Sequence, residues 1–482
     1  MTKSARPAIG DGPIAHLHHW ARNTPSNPAL VGPNLSLSWA ELLEQVQKLS
    51  QWLRGQELTG GVLIDATDEF EKIYSLACVH EGIFFAGLPS RHEHQKLKDL
   101  GFTTVLTLKA DFESELLNVL VFENKTSRQL EAVKQGLQPK PLLGGSLARV
   151  VFSSGTTGLP KPTPFSFDLQ AARVFSAGQH YMKQNPFFTM VGFRTTAGST
   201  CFFLDLWRGS VNLTPGSPKK NLRMIRAHGV KGVMASPTAL DALRAAHVAG
   251  DSQAISKSFS LEEIVSAGSF VHPKMAKAIS EAFDAKVTNV YGSTEAGLIS
   301  FSDATTDPND LTILYPDVEI TILKETGEKA AVGEPGKIFL RTPYMRIDYL
   351  ENSTFSPIDQ SELFEPGDLG FLTEAGQLKV LGREDDLINL SGIKIDPRPI
   401  EDYVLANFQV DEAVSMLATN QDGKTFHVMF VVSNDQLNPL DLKDRIHLVF
   451  GNKSPQLVIQ TDAIAKNQMG KVSRRVQIQT GS

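Results

Sequence analysis

Apolar positions set two alternating rhythms along the first part of this chain. Over 39–55 they return every three or four residues, which predicts an amphipathic helix, whereas 61–64 is a short uninterrupted apolar run of the kind a buried strand makes. Helical stretches and short apolar runs keep alternating from about Ile14 to Thr107, the texture of an α/β layered domain. Further along, 147–152 is apolar and β-branched and 168–181 has helical spacing. The runs 230–235, 264–267 and 287–290 read as buried strands, each ending in small or polar residues where a site can sit. Between 311 and 341 short alternating strands surround turn residues at 326–328 and 333–336, predicting a small β subdomain. Beyond Gly382 a charged turn over 383–386 leads to a helix over 399–406, strands over 413–417 and 426–432, and a helix over 440–450. This last part is a compact α+β unit of about 100 residues. No internal repeat or low-complexity segment interrupts the order.

Composition narrows the class. At 482 residues, 41% hydrophobic and 21% charged, the chain reads as an ordinary soluble globular protein with more than one core. A net charge of −6, with basic residues dispersed, leaves no electrostatic footprint for nucleic acid or an anionic membrane. No apolar run reaches the roughly 18 residues of a spanning helix, and the first residues lack a secretion-signal core, so a cytoplasmic protein is expected. Cys78 and Cys201 lie in apolar surroundings without CxxC spacing and are expected to be buried free thiols.

The chemistry concentrates in a few segments. Ser153, Ser154, Gly155, Thr156, Thr157, Gly158, Leu159, Pro160 and Lys161 combine hydroxyls, flexible backbone and one cation, the makings of a polyphosphate cradle. Flanked by 147–152 and 168–181, this loop is predicted to join a strand to a helix. It lacks the P-loop spacing, and Pro160, Pro162 and Pro164 disfavour a helix opening at the lysine. A second set runs from Asn289 to Glu295. Tyr291 and Asn289 could stack on and read a base, Thr294 could bind phosphate, and Glu295 could hold Mg²⁺ through a hard oxygen; alone, the same residues could form a capped, solvent-facing turn. Asp368, after Gly367, suits ribose hydroxyls with help from Arg383. Lys471 follows Gly470 near the C-terminus.

In this order, the segments SSGTTGLPK, NVYGSTE, GDLG, GREDDLINLSG and KNQMGKV resemble the adenylate-forming superfamily: acyl- and aryl-CoA synthetases, adenylation domains of peptide synthetases and beetle luciferases. The resemblance covers about 14–475. It implies an adenylation core over 1–384, a small mobile C-terminal domain over 385–482, and a hinge at Asp385. It further implies that Ser153, Thr156, Thr157 and Lys161, in a loop with Ser154, Gly155 and Gly158, hold the β- and γ-phosphates of ATP. Gly268 and Ser269 would border the adenine with Asn289, Tyr291 and Gly292. Thr294 would contact the α-phosphate, Glu295 would bind Mg²⁺, Asp368 and Arg383 would hold the ribose, and Lys471 would be the catalytic lysine.

Such an enzyme turns a carboxylate, a poor electrophile, into an acyl-adenylate by attack on the α-phosphorus with loss of pyrophosphate. No general base is needed, because the acid is already ionised near pH 7, so His180, His228 and His272 read as surface or core residues. The acyl group then passes to a thiol, that of CoA or of phosphopantetheine on a separate carrier protein. The alternatives are a stand-alone acid:carrier-protein ligase and a non-catalytic nucleotide-binding member. Phe193, Arg194 and Gly198 fall where amino-acid-activating relatives bind their substrate. An arginine in the place of their ammonium-pairing aspartate disfavours an amino acid, unless Arg194 is a structural ion-pair partner. Phe187, Phe188, Phe202, Phe203 and Trp207 could wall an aromatic pocket or simply be core, leaving aryl and aliphatic acids open. Pro162 stands where relatives carry glycine, and Glu365, Pro366 and Asn389 also depart from the usual pattern.

Overall fold

A computed structural model describes residues 6–56, 58–89, 93–122, 137–140, 145–153, 161–249, 260–306, 310–313, 318–345, 349–351, 354–356, 363–390, 393–420, 424–465, 472 and 474–477. Contacts divide the chain into one unit of residues 1–308, 312–319 and 340–364 and another of 309–311, 320–339 and 365–482.

In the first unit the helical rhythm over 39–55 becomes the helix Trp39–Arg54, started by a capping box in which Ser38 and Glu41 satisfy each other's backbone N–H. Its buried face carries Leu42, Val46, Leu49 and Leu53, each worth roughly 1.5–3 kcal/mol of apolar burial. The run at 61–64 becomes the strand Gly61–Asp65, which sits inside a six-stranded sheet. That sheet runs Asn118–Val121, Phe102–Thr107, Gly61–Asp65, Phe85–Gly87, Leu147–Ser153, Lys161–Ser166. All neighbours are parallel except the last pair. A second parallel set, Phe187–Thr189, Gly232–Ala235, Glu263–Ser266 and Lys286–Ser293, is continued by the antiparallel strand Gly297–Asp303. The helices Phe167–His180 and Thr196–Arg208 share one core with strands of both sheets, through Val174, Ala177, Phe202, Val62, Phe85, Met234 and Val265. Cys78 and Cys201 are buried, free thiols in this core. The candidate pocket phenylalanines Phe187, Phe188, Phe202 and Phe203 are core residues as well.

The second unit carries the strands Asp368–Leu372 and Leu378–Arg383 as an antiparallel pair, with Gly336 and Lys337 pairing alongside. Its C-terminal part is a four-stranded sheet in the order Leu457–Gln460, Thr425–Val432, Glu412–Thr419, Arg475–Gln477, covered by the helices Arg398–Asn407 and Pro439–Phe450. Ile400, Val404, Met429, Val431, Leu442 and Ile446 close that core. The mixed α/β architecture, with a large N-terminal part and a smaller C-terminal one, is the one expected. Among the described residues no helix is long and apolar enough to cross a membrane.

Candidate active site

The strand Leu147–Ser153 leads into the hydroxyl-rich segment, of which Ser154, Gly155, Thr156, Thr157 and Gly158 lie outside the described residues. The chain re-emerges at Lys161 as a second strand, not as a helix. Lys161–Ser166 pairs antiparallel with Leu147–Ser153, so that Ser153 and Lys161 face each other in register. The helix begins only at Phe167, capped by Ser166 Oγ, which accepts from Leu169 N at 3.2 Å. The expectation of a strand-to-helix loop is therefore corrected to a strand-to-strand connection. Pro162 and Pro164 explain it, since they sit on the outermost strand of the sheet, where a missing N–H leaves no ladder bond unmade. The segment's two ends are thus held side by side, with the exposed Lys161 at one of them.

The other cluster forms at the carboxyl ends of the parallel strands, where an open α/β sheet presents its crevice. Ser266 ends one strand beside Asn289 on the next. The chain then turns through Gly268, whose φ of 93° belongs to the left-handed region that glycine adopts at least cost. Asn289 is fully buried; its Oδ1 accepts from Val271 N at 3.2 Å, while its Nδ2 has no partner among the described residues. Ser266 Oγ donates to Ser269 O at 3.4 Å. The structure therefore ties Gly268, Ser269 and Asn289 into one element. Tyr291 pairs with Ser300, and a bulge follows it at Gly292. A Cβ at Gly292 would lie 2.1 Å from Gly297 O, so this close crossing of two strands admits only glycine.

Beyond Ser293 the chain turns sharply, with Ser293 Oγ accepting from Ala296 N at 3.0 Å. The turn is fixed from outside by Arg173, a residue that the sequence reading did not single out. Arg173 lies on the helix Phe167–His180 and is only 4% exposed. Its Nη1 donates to Thr294 O at 2.8 Å, its Nη2 donates to Glu295 O, and its Nε donates to Tyr344 O at 3.1 Å. The guanidinium lies 4.8 Å from the ring centre of Phe165. A buried cation thus holds the backbone of the two residues whose side chains carry the expected phosphate and Mg²⁺ chemistry. No group of three potential metal-binding His, Cys, Asp or Glu side chains occurs among the described residues. A single carboxylate, Glu295, fits Mg²⁺ nonetheless, because this ion keeps waters and takes most of its remaining ligands from nucleotide phosphates.

Phe193 is buried against Phe202 and Phe203. Gly198 is required by packing, since a Cβ there would meet Gly192 O at 2.2 Å. Arg194 has specific partners: its Nε donates to Glu71 at 2.7 Å, its Nη1 to Leu88 O at 3.0 Å and its Nη2 to Ile64 O at 3.3 Å. The structural ion pair is thus the arrangement found, and Glu71 faces the charge that the sequence reading set against an ammonium. Burial pushes Glu71 up to about 7, although Arg194 pulls in the opposite direction.

In the second unit, Asp368 and Arg383 are cross-strand partners, with Arg383 Nε 3.4 Å from Asp368 Oδ1 and Arg383 Nη2 donating to Pro366 O at 2.7 Å. The pair expected to hold ribose is brought together. Glu384, next to Asp385, binds Lys337 at 2.8 Å and donates its own N–H to Gly367 O at 2.8 Å, so the segment entering the charged turn is anchored within this unit. Lys471 lies outside the described residues. Three residues downstream, Arg474 is held by Glu401 and by Ser415 O at 2.9 Å, and Glu401 also accepts from Ser415 N at 2.6 Å.

Residues 17–350 match the family described as AMP-binding enzyme. A long-chain-fatty-acid–CoA ligase from Haemophilus influenzae is 28% identical over 164 residues, 33% of this chain and 29% of that protein. The chain thus spans less than a third of that relative's length. A 4-chlorobenzoate–CoA ligase from an Arthrobacter species is 25% identical over 399 residues, 78% of this chain and 72% of that one. The structure of o-succinylbenzoate CoA synthetase from Bacillus subtilis, in complex with its acyl-adenylate, superposes with a TM-score of 0.76 at 20% identity. It covers 95% of this chain and 96% of its own, a likeness of fold.

Proposed function

We propose, on the premise that this chain belongs to the AMP-binding enzyme family, that it activates a carboxylic acid as an acyl-adenylate and then transfers the acyl group to a thiol. The observation that carries this reading is the turn at Thr294 and Glu295, held by Arg173 at the carboxyl end of the parallel strand that carries Asn289. A carboxylate oxygen of the acid attacks the α-phosphorus of ATP, pyrophosphate leaves, and the acyl carbon gains AMP as its leaving group. The protein's task is to position two anions and offset the charge between them. Thr294 would donate its hydroxyl to the α-phosphate, and Lys161 with Ser153 would meet the outer phosphates. Asn289 and Tyr291 would face the base, and Asp368 with Arg383 the ribose. Mg²⁺, which Glu295 would hold, supplies charge neutralisation on the phosphates.

In the second half-reaction a thiol sulfur attacks the acyl carbon, AMP departs, and a thioester forms. We assign Lys471 to the first half-reaction and Asp385 to the pivot that separates the two, with domains dividing at 384/385. The acid is aryl or aliphatic, and the acceptor is CoA or a carrier protein's phosphopantetheine. The cytoplasm is the matching compartment. The test is pyrophosphate exchange into ATP, with Mg²⁺, against benzoic, hydroxybenzoic, cinnamic, short- and long-chain fatty, and amino acids. Exchange dependent on one class of acid is expected. Failure with every acid, in protein that binds ATP, would overturn the proposal.

A further inference from the structure

A cavity of about 880 Å³ lies inside the first unit, between the N-terminal segment 9–22, the strand Leu147–Ser153 and the helix Phe167–His180. None of the residues assigned above to ATP lines it, and of the aromatic residues weighed for the acid Phe203 alone does. Its wall is mixed: an apolar part includes Ile14, Val79, Phe85, Phe167 and Phe203, and among the polar residues Arg149 is only 3% exposed. The Arg149 guanidinium lies 5.3 Å from the ring centre of Phe193 and 5.8 Å from that of Phe85. Its Nη2 reaches Phe193 O at 3.5 Å, and its Nε and Nη1 have no hydrogen-bond partner among the described residues. The acid whose field acts on it, Glu71, is bonded to Arg194 at 2.7 Å. His18 Nε2, on the same wall, is also buried without a partner among the described residues.

A buried guanidinium with unmet donors is unfavourable until an anion reaches it. We propose that this cavity binds a monoanion with an apolar body, a carboxylate on an aromatic or aliphatic skeleton, whose charged end takes the free donors of Arg149. The charge count argues for one negative charge. Arg149 is the one buried guanidinium of the wall, Arg22 is exposed, Lys140 is shared with Glu81 at 3.7 Å, and Asp11 and Asp168 on the same lining would oppose a polyanion. The volume lies in the range of small-molecule sites, and the rings and aliphatic groups suit a hydrocarbon body. The site is separate from the candidate nucleotide loop. Arg149 stands four residues before Ser153 on one extended strand, about 13 Å away at ~3.3 Å per residue.

The full chain is crystallised with 4-bromobenzoate, 4-bromobenzamide or 4-bromophenyl phosphate, bromine is located by its anomalous scattering, and affinity is followed by calorimetry. The benzoate is expected to give a bromine peak in the cavity with its carboxylate on Arg149, and the neutral amide none. Arg149→Met should remove that peak and weaken binding at this site at least tenfold. The unliganded variant should melt at or above the wild-type temperature, because an unpaired buried charge has been replaced by an apolar chain. Ala171→Trp, which fills the cavity from a half-buried helix position and keeps the arginine, should block the site equally and carries the test if Arg149→Met does not fold. An empty cavity, equal occupancy by the amide, tighter binding of the phosphate dianion, or binding that survives both substitutions would each overturn the proposal.

Discussion

Replacing Arg173 by Met tests whether the turn at Thr294 and Glu295 depends on its clamp. Met keeps the unbranched stem that packs near Phe165 but removes the guanidinium fork, and with it the donors to Thr294 O, Glu295 O and Tyr344 O. Hydrogen bonds from a charged donor are worth about 1.5–3 kcal/mol each. The three share one side chain, and two of them one turn, so their losses do not add. Arg173 is 4% exposed, so water reaches the vacated carbonyls poorly, and a destabilisation of about 3–5 kcal/mol follows, above the value of one such bond and below the largest sum of three. The functional effect comes through geometry: a displacement of about 1 Å in a turn that presents a phosphate donor and a metal carboxylate costs up to ~10²-fold in rate. The assay pairs urea unfolding with acid-dependent pyrophosphate exchange, read at a denaturant-free temperature where the variant is folded. A folded variant with kcat/KM within twofold of wild type would refute the clamp. One that loses stability alone would reduce Arg173 to a packing residue.

Lys471→Ala should lower adenylate formation by on the order of 10²-fold or more while leaving thiol transfer from a supplied acyl-adenylate intact; a normal exchange rate would remove Lys471 from the reaction. Asp385→Pro should slow thioester formation at least about tenfold more than adenylation in single-turnover assays, and equal losses would remove the hinge. Burial raises Glu71 to about 7 in the folded chain, above the ordinary 4.5, so the native state binds the extra proton between these values. The stability this contributes is fully present below about pH 4.5 and is lost as pH rises through about 7, a decline of about 1–3 kcal/mol. Glu71→Gln should flatten that decline in denaturation midpoints measured across the window, and an unchanged slope would rule Glu71 out as its source.

What could be read from the chain divides by the kind of interaction involved. Local rules sufficed for the helix Trp39–Arg54, because Ser38 and Glu41 cap it and Leu42, Val46, Leu49 and Leu53 make its buried stripe within one segment. They also placed the parallel strands ending at Ala235, Ser266 and Ser293, where consecutive residues are buried because both faces are covered. The same rules misjudged the segment after Lys161. Helical spacing over 168–181 was real, but the prolines just before it belong to an edge strand, and nothing in their own sequence shows which neighbour they pair with. Asp368 and Arg383 were legible as chemistry, and the antiparallel register adds only that they are opposite each other.

Arg173 and Arg149 were illegible for a shared physical reason. Each is a charged residue on a helix or strand where a solvated position is the ordinary expectation, and nothing in its neighbours' identities marks it. Arg173 finds backbone carbonyls 121 and 122 positions away, and since every residue has a carbonyl, no side-chain pattern announces the partner. Arg149 finds two rings and no hydrogen-bonded acid, so its anomaly exists only once burial is known. Motif reading recovers side chains that act on a ligand directly; it passes over cations that act on backbone or stand in a cavity. In this fold the two classes are physically linked, because the Thr294 hydroxyl and the Glu295 carboxylate can be directed only as well as the carbonyls of the same two residues are held. The clamp and the motif are therefore expected to fail together, and that joint failure separates a built site from a chance run of hydroxyl and carboxylate residues.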